Sequence, residues 1–140
     1  MKILTLLVAI VLSAGQAAAP SVEGMWTARF EGQTFVRLEL KTTNGTITGG
    51  MSLGKFEVDK QGALRRAVES PRDLTPIFDV TRRESTVTFS RKDGTSTDRF
   101  ELQLLEAGHA ELHVLLNDAD RRELAASGIP TVKPIALSRQ

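Results

Sequence analysis

The chain of 140 residues contains no cysteine and no apolar run long enough to be a membrane anchor. A small extracellular domain with a poor core normally relies on disulfides, so this protein must fold by packing alone. A membrane-spanning helix needs ~20 apolar residues. The longest apolar run, Ile3 to Leu12, is too short; it follows Lys2 and precedes the small residues Ala14 to Ala19. This pattern predicts a cleavable secretory signal peptide at residues 1–19.

Cleavage after Ala17 or after Ala19 fits a small-x-small site, and Pro20 directly after Ala19 favours the earlier position. Because no cysteine lies near either position, no lipid can be attached there. We expect residues 20–140 to form a single domain, free in a periplasm or outside the cell, with no stable membrane insertion after cleavage.

The sequence also lacks an excess of charge of either sign. The chain has 18 basic residues, and removing Lys2 with the signal leaves 17, against 17 acidic ones. A chain with balanced charges gives no indication of a polyanionic partner, and we expect no nucleic-acid binding. Basic residues occur in four pairs, each near acidic residues, and we interpret them as solvated faces. The pairs are Arg65-Arg66, Arg82-Arg83, Arg91-Lys92 and Arg121-Arg122.

Residues typical of catalysis or metal binding are few. His109 and His113 are the only histidines. They fall on a predicted turn followed by a strand, where four residues span ~13 Å, too far for one metal ion to bridge. The paired carboxylates Asp118 and Asp120 suit a helix N-terminus. With no cysteine nucleophile, glycine-rich loop or catalytic triad spacing, we expect a non-enzyme with no catalytic residue, metal or cofactor.

The residues that are present favour β-structure organised around the one tryptophan. Residues Val22 to Glu31 alternate with period 2, which places Trp26, Ala28 and Phe30 on the inner face of a first strand. A tryptophan can bury roughly 150–250 Å². We therefore expect the later strands to pack around Trp26.

Alternating patterns and turn residues predict the remaining strands. Asn44-Gly45 and Asp93-Gly94 are hairpin turn signals, and Asn44-Gly45-Thr46 is better explained as a turn than as a glycosylation site. Residues Ala63 to Val68 are either one more short strand or a turn. The other predicted strands are Thr34–Thr42, Thr46–Leu53, Lys55–Asp59, Ile77–Arg83, Thr86–Arg91, Thr97–Leu105, one that begins after Ala107-Gly108-His109, and Val132–Ser138.

Two segments carry helix signals. Ser70 to Leu74 has a hydroxyl cap, a proline at the first helical position and a carboxylate three residues after the cap, which predicts a single turn of helix over one mouth of the sheet. The segment Asp118 to Ala126 has a candidate cap in either Asn117 or Asp118 and ends before Gly128, which predicts a short helix. Pro134 places the last strand at an edge or a seam.

Eight or nine short strands joined mostly by tight turns favour an all-β fold. We predict an up-and-down antiparallel meander closing into a small barrel, with one short helix near the C-terminus. A two-sheet sandwich is the alternative.

The inward positions are mostly large and apolar, which favours a filled core over a ligand cavity. A pocket, if present, should accept an apolar molecule near one mouth, under residues Lys60 to Pro76. The competing hypothesis is an interaction surface. The alternating pattern places four apolar residues on the outward face of their strands, and they would form an exposed patch if grouped together. They are Met25, Phe35, Ile77 and Leu115.

The tripeptide Gly24-Met25-Trp26 resembles the Gly-x-Trp signature that opens lipocalins and related calycin barrels. In that family a late arginine packs across the tryptophan, and Arg139 is the residue here that resembles it. Thr97-Asp98-Arg99 matches a second signature, Thr-Asp-Tyr, except that arginine replaces the aromatic residue. The mature length is closer to the smaller calycins and to the periplasmic eight-stranded inhibitors of bacterial metalloproteases.

The resemblance implies a binding protein without implying a ligand. The expected function is an exported, non-catalytic binding protein for a small apolar molecule, and the alternative is a protein-interaction or protease-inhibitor-type module acting through its surface or loops. The candidate ligand-binding residues are Trp26, Phe30, Phe56, Phe78, Phe89, Phe100 and Arg139.

Overall fold

A computed structural model describes residues 21–140 of the protein. The predicted signal peptide, residues 1–19, lies outside the described residues. Within the described part, the chain forms ten strands and one helix. In chain order these are β1 (Gly24–Phe30), β2 (Gln33–Thr43), β3 (Thr46–Leu53), β4 (Phe56–Val58), β5 (Leu64–Ala67), β6 (Thr75–Arg83), β7 (Thr86–Asp93), β8 (Ser96–Leu104), β9 (His109–Leu115), α1 (Asp118–Ala126) and β10 (Ile135–Arg139).

Eight of these strands form one closed barrel in the order β1-β10-β9-β8-β7-β6-β3-β2, and every pairing is antiparallel. Strands β4 and β5 form a separate hairpin, inserted in the chain between β3 and β6. The predicted all-β meander that closes into a small barrel with one short helix is confirmed. The alternative of a two-sheet sandwich is wrong.

Strand β2 shows why this sequence forms a barrel wall. Val36, Leu38 and Leu40 are buried, while the charged residues between them are only partly buried. Alternation with period 2 gives the strand one apolar and one polar face. The turn that follows has positive φ angles at Asn44 (52°) and Gly45 (77°), as the predicted hairpin requires.

Trp26 lies in the core as predicted, with 2% of its surface exposed. Its indole Nε1 donates a hydrogen bond to the backbone carbonyl of Val22 (2.9 Å), so its polar atom is satisfied within the protein. Large side chains from the other strands fill the space beside it. The largest of those that are fully buried are Phe35, Phe89, Phe100, Leu38, Leu40, Met51, Leu102, Leu112 and Leu137.

A β-bulge in β2 changes which side chains reach the core. Ala28 pairs with Val36 and Arg29 pairs with Thr34, which leaves Phe35 as an extra residue. A bulge redirects the side chains around it. Phe35 is completely buried, so the expectation that it faces outward is wrong.

A second irregularity in β6 has the same effect. Phe78 pairs with Ser90 and Thr81 pairs with Thr88, so β6 carries one extra residue, and Asp79 within this stretch has a φ of 50°. Ile77, expected to face outward, is buried in the core. Phe78, expected to face inward, is only partly buried and lies outside the core cluster. Both expectations are wrong because the extra residue changes which face of β6 each side chain occupies.

The predicted helical turn at Ser70 to Leu74 is wrong, because residues 68–74 form neither helix nor strand. The Ser70 hydroxyl accepts a hydrogen bond from an Arg37 guanidinium nitrogen instead of capping a helix. The backbone N–H of Ser70 donates to the carbonyl of Thr34 (2.8 Å), and the Glu69 carboxylate pairs with Arg37 (2.7 Å). These bonds hold the segment against β2.

Helix α1 has the predicted bounds. Asn117 caps it, since its side-chain oxygen accepts a hydrogen bond from the backbone N–H of Asp120 (2.7 Å). None of its nine residues is buried. The helix therefore lies on the surface of the barrel, with Leu124 half-buried.

Two predictions at other strands are refined. The segment Ala63–Val68, predicted as a strand or a turn, contains strand β5. The last strand, predicted as Val132–Ser138, is Ile135–Arg139, and Pro134 lies just before it. Strand β10 therefore pairs on both sides and is the seam that closes the barrel onto β1.

Candidate ligand-binding site

The two ends of the barrel are built differently. One end, here called the Trp end, holds the start of β1, the turn at residues 105–108 and the end of β10 beside Trp26. At the other end, here called the mouth, the chain makes its two longest connections. These are residues 54–74 between β3 and β6, which contain the β4–β5 hairpin, and residues 116–134 between β9 and β10, which contain α1.

The two connections dock onto each other. The backbone N–H of Lys133 donates a hydrogen bond to the carbonyl of Gly62 (2.9 Å). Gly62 has a φ of +81°, and a Cβ atom there would come within 2.1 Å of the carbonyl oxygen of Thr131. A glycine is therefore required at this contact, both for its backbone conformation and for the close approach.

A cleft of about 450 Å³ lies between the docked connections and the end of β9. We call it the mouth cleft. It is within the size range of small-molecule sites, roughly 300–1,000 Å³. Its apolar wall is formed by Phe56, Val58, Val114, Leu116, Leu124, Ile129 and Val132.

The helix turns one face toward the mouth cleft. Asp120, Glu123, Leu124 and Ser127 line the cleft, at spacings i, i+3, i+4 and i+7. Residues at these spacings share one side of a helix. Leu124 is the one apolar side chain on this face and is half-buried. The helix therefore presents two carboxylates and a hydroxyl toward an otherwise apolar wall.

Opposite the helix, the β4–β5 hairpin contributes an ion pair. Arg65 Nη2 lies 2.8 Å from Glu57 Oε2, and both residues line the mouth cleft. The hydrogen bond and the charge of Arg65 hold the pKa of Glu57 below its usual value. Among residues 21–140, neither Asp120 nor Glu123 has such a basic partner. The cleft therefore carries three carboxylates and one guanidinium, which is already paired.

Near the mouth, an arginine faces the inside of the barrel. Arg91 continues the inward alternation of Val87 and Phe89 along β7, and it is buried. Its Nη2 pairs with Asp98 Oδ2 (3.1 Å), while its Nε has no hydrogen-bond partner in the described part of the chain. Because Asp98 balances its charge, Arg91 adds no net charge beneath the mouth.

Of the seven residues predicted to bind a ligand, Phe56 alone lines the mouth cleft. Its ring lies 6.1 Å from that of Phe35, centroid to centroid, which anchors the β4–β5 hairpin to the core. Phe30 is partly buried and packs against the core cluster. A pocket was expected near one mouth under residues Lys60 to Pro76, and of those residues Arg65 alone lines the mouth cleft.

Four other predicted residues lie elsewhere. Trp26, Phe89 and Phe100 are buried in the core, where the rings of Phe89 and Phe100 stack at 5.5 Å. Phe78 lies outside this core and has Lys92 Nζ 5.8 Å from its ring centroid. These residues fill or flank the barrel wall.

The seventh, Arg139, lies at the Trp end. Its guanidinium carbon is 5.2 Å from the centroid of the Trp26 ring, so the late arginine packs across the tryptophan as the resemblance implied. Arg139 Nη1 also donates to the carbonyls of Ser21 (2.9 Å) and Glu23 (3.3 Å). A small cleft of about 180 Å³ touches Trp26 and Arg139.

The four residues with outward parity do not form an exposed patch. Phe35 and Ile77 are buried, and Met25 is half-buried. Leu115 is 38% exposed and lies at the end of β9. The condition for an interaction patch, that these four residues be grouped on the surface, is not met, because the bulges bring two of them into the core.

Both histidines lie on β9, so His113 is on the predicted strand and His109, predicted to end the preceding turn, is the first residue of the strand. His113 Nε2 is 3.6 Å from Glu111 Oε2, and His109 is exposed. Among residues 21–140, no group of three or more His, Cys, Asp or Glu side chains is placed to hold a metal ion. In the same residues, no helix has the length and apolar character needed to cross a membrane.

Sequence reasoning missed most of the mouth cleft. Leu124 stands on a helix face with Asp120 and Ser127, a spacing that the sequence displays once α1 is predicted. Ile129 and Val132 carry no local pattern that marks a pocket. They reach the cleft because their connection docks onto the β4–β5 hairpin.

Comparison of the chain with known proteins found no matching family model, curated protein or solved structure. The fold and the mouth cleft of this chain are therefore the basis for a functional conclusion.

Proposed function

We propose that the protein is an exported, non-catalytic binding protein of lipocalin-like type that holds a small apolar molecule in the mouth cleft. The observation that carries the proposal is the cleft of about 450 Å³ with its apolar wall, set over a barrel whose interior is filled by side chains. Ligand sites are typically concave and mostly apolar, with a few polar groups that orient the ligand. The mouth cleft has both properties.

The position of the cleft supports binding without loss of the core. Trp26, Phe89 and Phe100 occupy the barrel interior, so a ligand does not have to displace them. An eight-stranded barrel is just wide enough to be filled by side chains or to hold one small ligand. Here the mouth supplies the space that the interior lacks.

Contacts at the Trp end support the proposal that the barrel is of lipocalin-like type. Gly24 has a φ of +130°, and a Cβ atom there would lie 2.9 Å from Arg139 Cδ. The glycine thus leaves room for Arg139 to cross the Trp26 ring. This gives a physical reason for the Gly-x-Trp spacing and for an arginine at the end of the last strand.

A non-catalytic role is consistent with the polar groups in the cleft. Ser127 donates its hydroxyl to the backbone carbonyl of Glu123 (3.3 Å), a bond within the helix that does not activate a nucleophile. Glu57 is occupied by Arg65. The polar groups are therefore suited to orienting a ligand.

The test is a titration with N-phenyl-1-naphthylamine, a neutral apolar probe whose fluorescence rises when it leaves water. Larger ligands gain about 0.3 kcal/mol per non-hydrogen atom, so a probe with about 17 such atoms should bind with a Kd on the order of 0.1 mM. We expect Leu124→Gln to weaken binding by about tenfold, because it replaces the apolar side chain that the helix gives to the cleft.

The matched control is Ala125→Gln, which places the same side chain on the next helical residue, exposed and outside the cleft lining. It should leave the affinity unchanged. Equal effects of the two variants, or no binding of the probe by the parent protein, would contradict the proposal.

A further inference from the structure

The charges around the mouth cleft narrow the class of ligand. Asp120 and Glu123 face the cleft from the helix, and the Glu57–Arg65 pair faces it from the hairpin. Among the residues that line the cleft, the surplus is two negative charges at the edge of an apolar wall, and Asp120 also borders an adjoining cleft lined by Arg99 and Arg121. Opposite charges on ligand and site favour a specific partner and its orientation.

The helix does not use these two carboxylates for pairing of its own. The ion pair found within α1 joins Arg121 to Asp118 (3.8 Å), and Arg121 does not line the mouth cleft. Asp120 lies in the first turn of α1, where a carboxylate stabilises the helix N-terminus, but a helix that packed here only for stability would favour an apolar residue in place of Glu123. Instead, the face has Leu124 flanked by Asp120 and Glu123.

We propose that the occupant of the mouth cleft is an amphipathic cation, with an apolar body against the wall and an ammonium group beside Asp120 and Glu123. This inference rests on the proposed function and names the ligand class of the same site. The apolar body contacts Phe56, Val114 and Val132, and the ammonium group stays at the rim, where it keeps part of its hydration. A carboxylate ligand of the same length meets repulsion from both acids.

The test compares three probes with the same eight-carbon chain: octyltrimethylammonium, 1-octanol and octanoate, titrated calorimetrically at pH 7 and low salt. Exposed ion pairs contribute modestly, so two of them should give the cation an advantage of about tenfold over the alcohol. Octanoate should bind more weakly than the alcohol. The cation's advantage should shrink in 1 M salt, because exposed charges are screened.

The decisive variant is Asp120→Asn combined with Glu123→Gln. It should bind 1-octanol like the parent and lose the preference for octyltrimethylammonium. The matched control combines Asp118→Asn with Glu106→Gln, which removes two acids outside the mouth cleft, one of them also in the first turn of α1. The control should keep the preference.

The outcomes separate this inference from the proposed function. If the parent binds all three probes alike or prefers octanoate, or if the decisive variant still prefers octyltrimethylammonium, the proposal of a cationic ligand is wrong while the proposal of a binding cleft stands. If none of the three probes binds and N-phenyl-1-naphthylamine also fails to bind, both proposals are wrong.

Discussion

The Trp end and the mouth of this barrel use their residues in opposite ways. At the Trp end, Arg139 covers the Trp26 ring and bonds backbone carbonyls near the start of the described chain, while the indole nitrogen bonds Val22. At the mouth, α1 buries none of its residues, and one backbone hydrogen bond joins residues 131–133 to the hairpin tip at Gly62. The comparison indicates that the Trp end is held by more contacts than the mouth, and the binding surface that we propose lies at the less tightly held end.

The largest difference in stability between the two ends is expected when a large ring is removed from each end. Trp26→Ala should lower the free energy of unfolding by about 3–5 kcal/mol, because it empties a fully packed site. Phe56→Ala should cost about 1–2 kcal/mol, since its ring is only partly buried. Urea denaturation measures both. An unchanged midpoint for Trp26→Ala would remove the tryptophan from the core.

A second comparison tests the fit at the Trp end. Gly24 and Gly32 both have positive φ angles, +130° and +80°, but a Cβ atom would meet Arg139 only at Gly24 and open space at Gly32. Gly32→Ala should cost about 1 kcal/mol from backbone strain. Gly24→Ala should cost about 1–2 kcal/mol more and should change Trp26 fluorescence, because Arg139 must move off the ring.

The paired control in that experiment is the fluorescence of Gly32→Ala, which should match the parent. Equal losses of stability in the two variants, together with identical fluorescence, would show that the contact between Gly24 and Arg139 has no energetic role.

The smallest expected effect is the change in folding stability at low pH. The pKa of Glu69 is lowered by its hydrogen bonds from Arg37 and from the backbone N–H of Thr34, the bonds that hold residues 68–74 against β2. A carboxyl whose folded pKa lies below its unfolded value of 4.5 stabilises the fold above pH 4.5. That stability is lost as the pH falls through the folded pKa.

We therefore expect Glu69→Gln to lower the urea midpoint at pH 7 and to lower it less at pH 3, because the parent loses the same contribution as the pH falls through the folded pKa of Glu69. The effect should be small because the Glu69 side chain is 47% exposed. An equal loss at both pH values would mean that the charge of Glu69 does not matter.

Much of this fold follows from local patterns, and the exceptions have physical causes. Alternation predicted the barrel strands, and the Asn117 cap predicted α1. The orientation of Phe35 and Ile77 could not be predicted, since Phe35 is itself the extra residue in β2 and Ile77 precedes the extra residue in β6, and only the pairing of strands reveals these irregularities. The helical signal at Ser70 was overridden by Arg37, which lies 33 residues away in the chain.

The mouth cleft was still harder to predict than the strands. It forms where two connections that are distant in the chain meet, at Gly62 and residues 131–133. Periodicity within a segment carries no information about such a meeting. The expectation of a pocket near one mouth came from the length of the connection Lys60 to Pro76 and its loss of alternation, and it named a region without naming Leu124, Ile129 or Val132.

The difference between the two ends is tested most directly by native-state hydrogen exchange followed residue by residue. The amides of α1 should exchange through local opening, many times faster than those of β1 and β10 around Trp26, whose exchange should require global unfolding. Addition of octyltrimethylammonium should slow exchange in α1 and leave Trp26 and its neighbours unaffected. Equal protection at both ends, or slowing confined to the Trp end, would contradict the account.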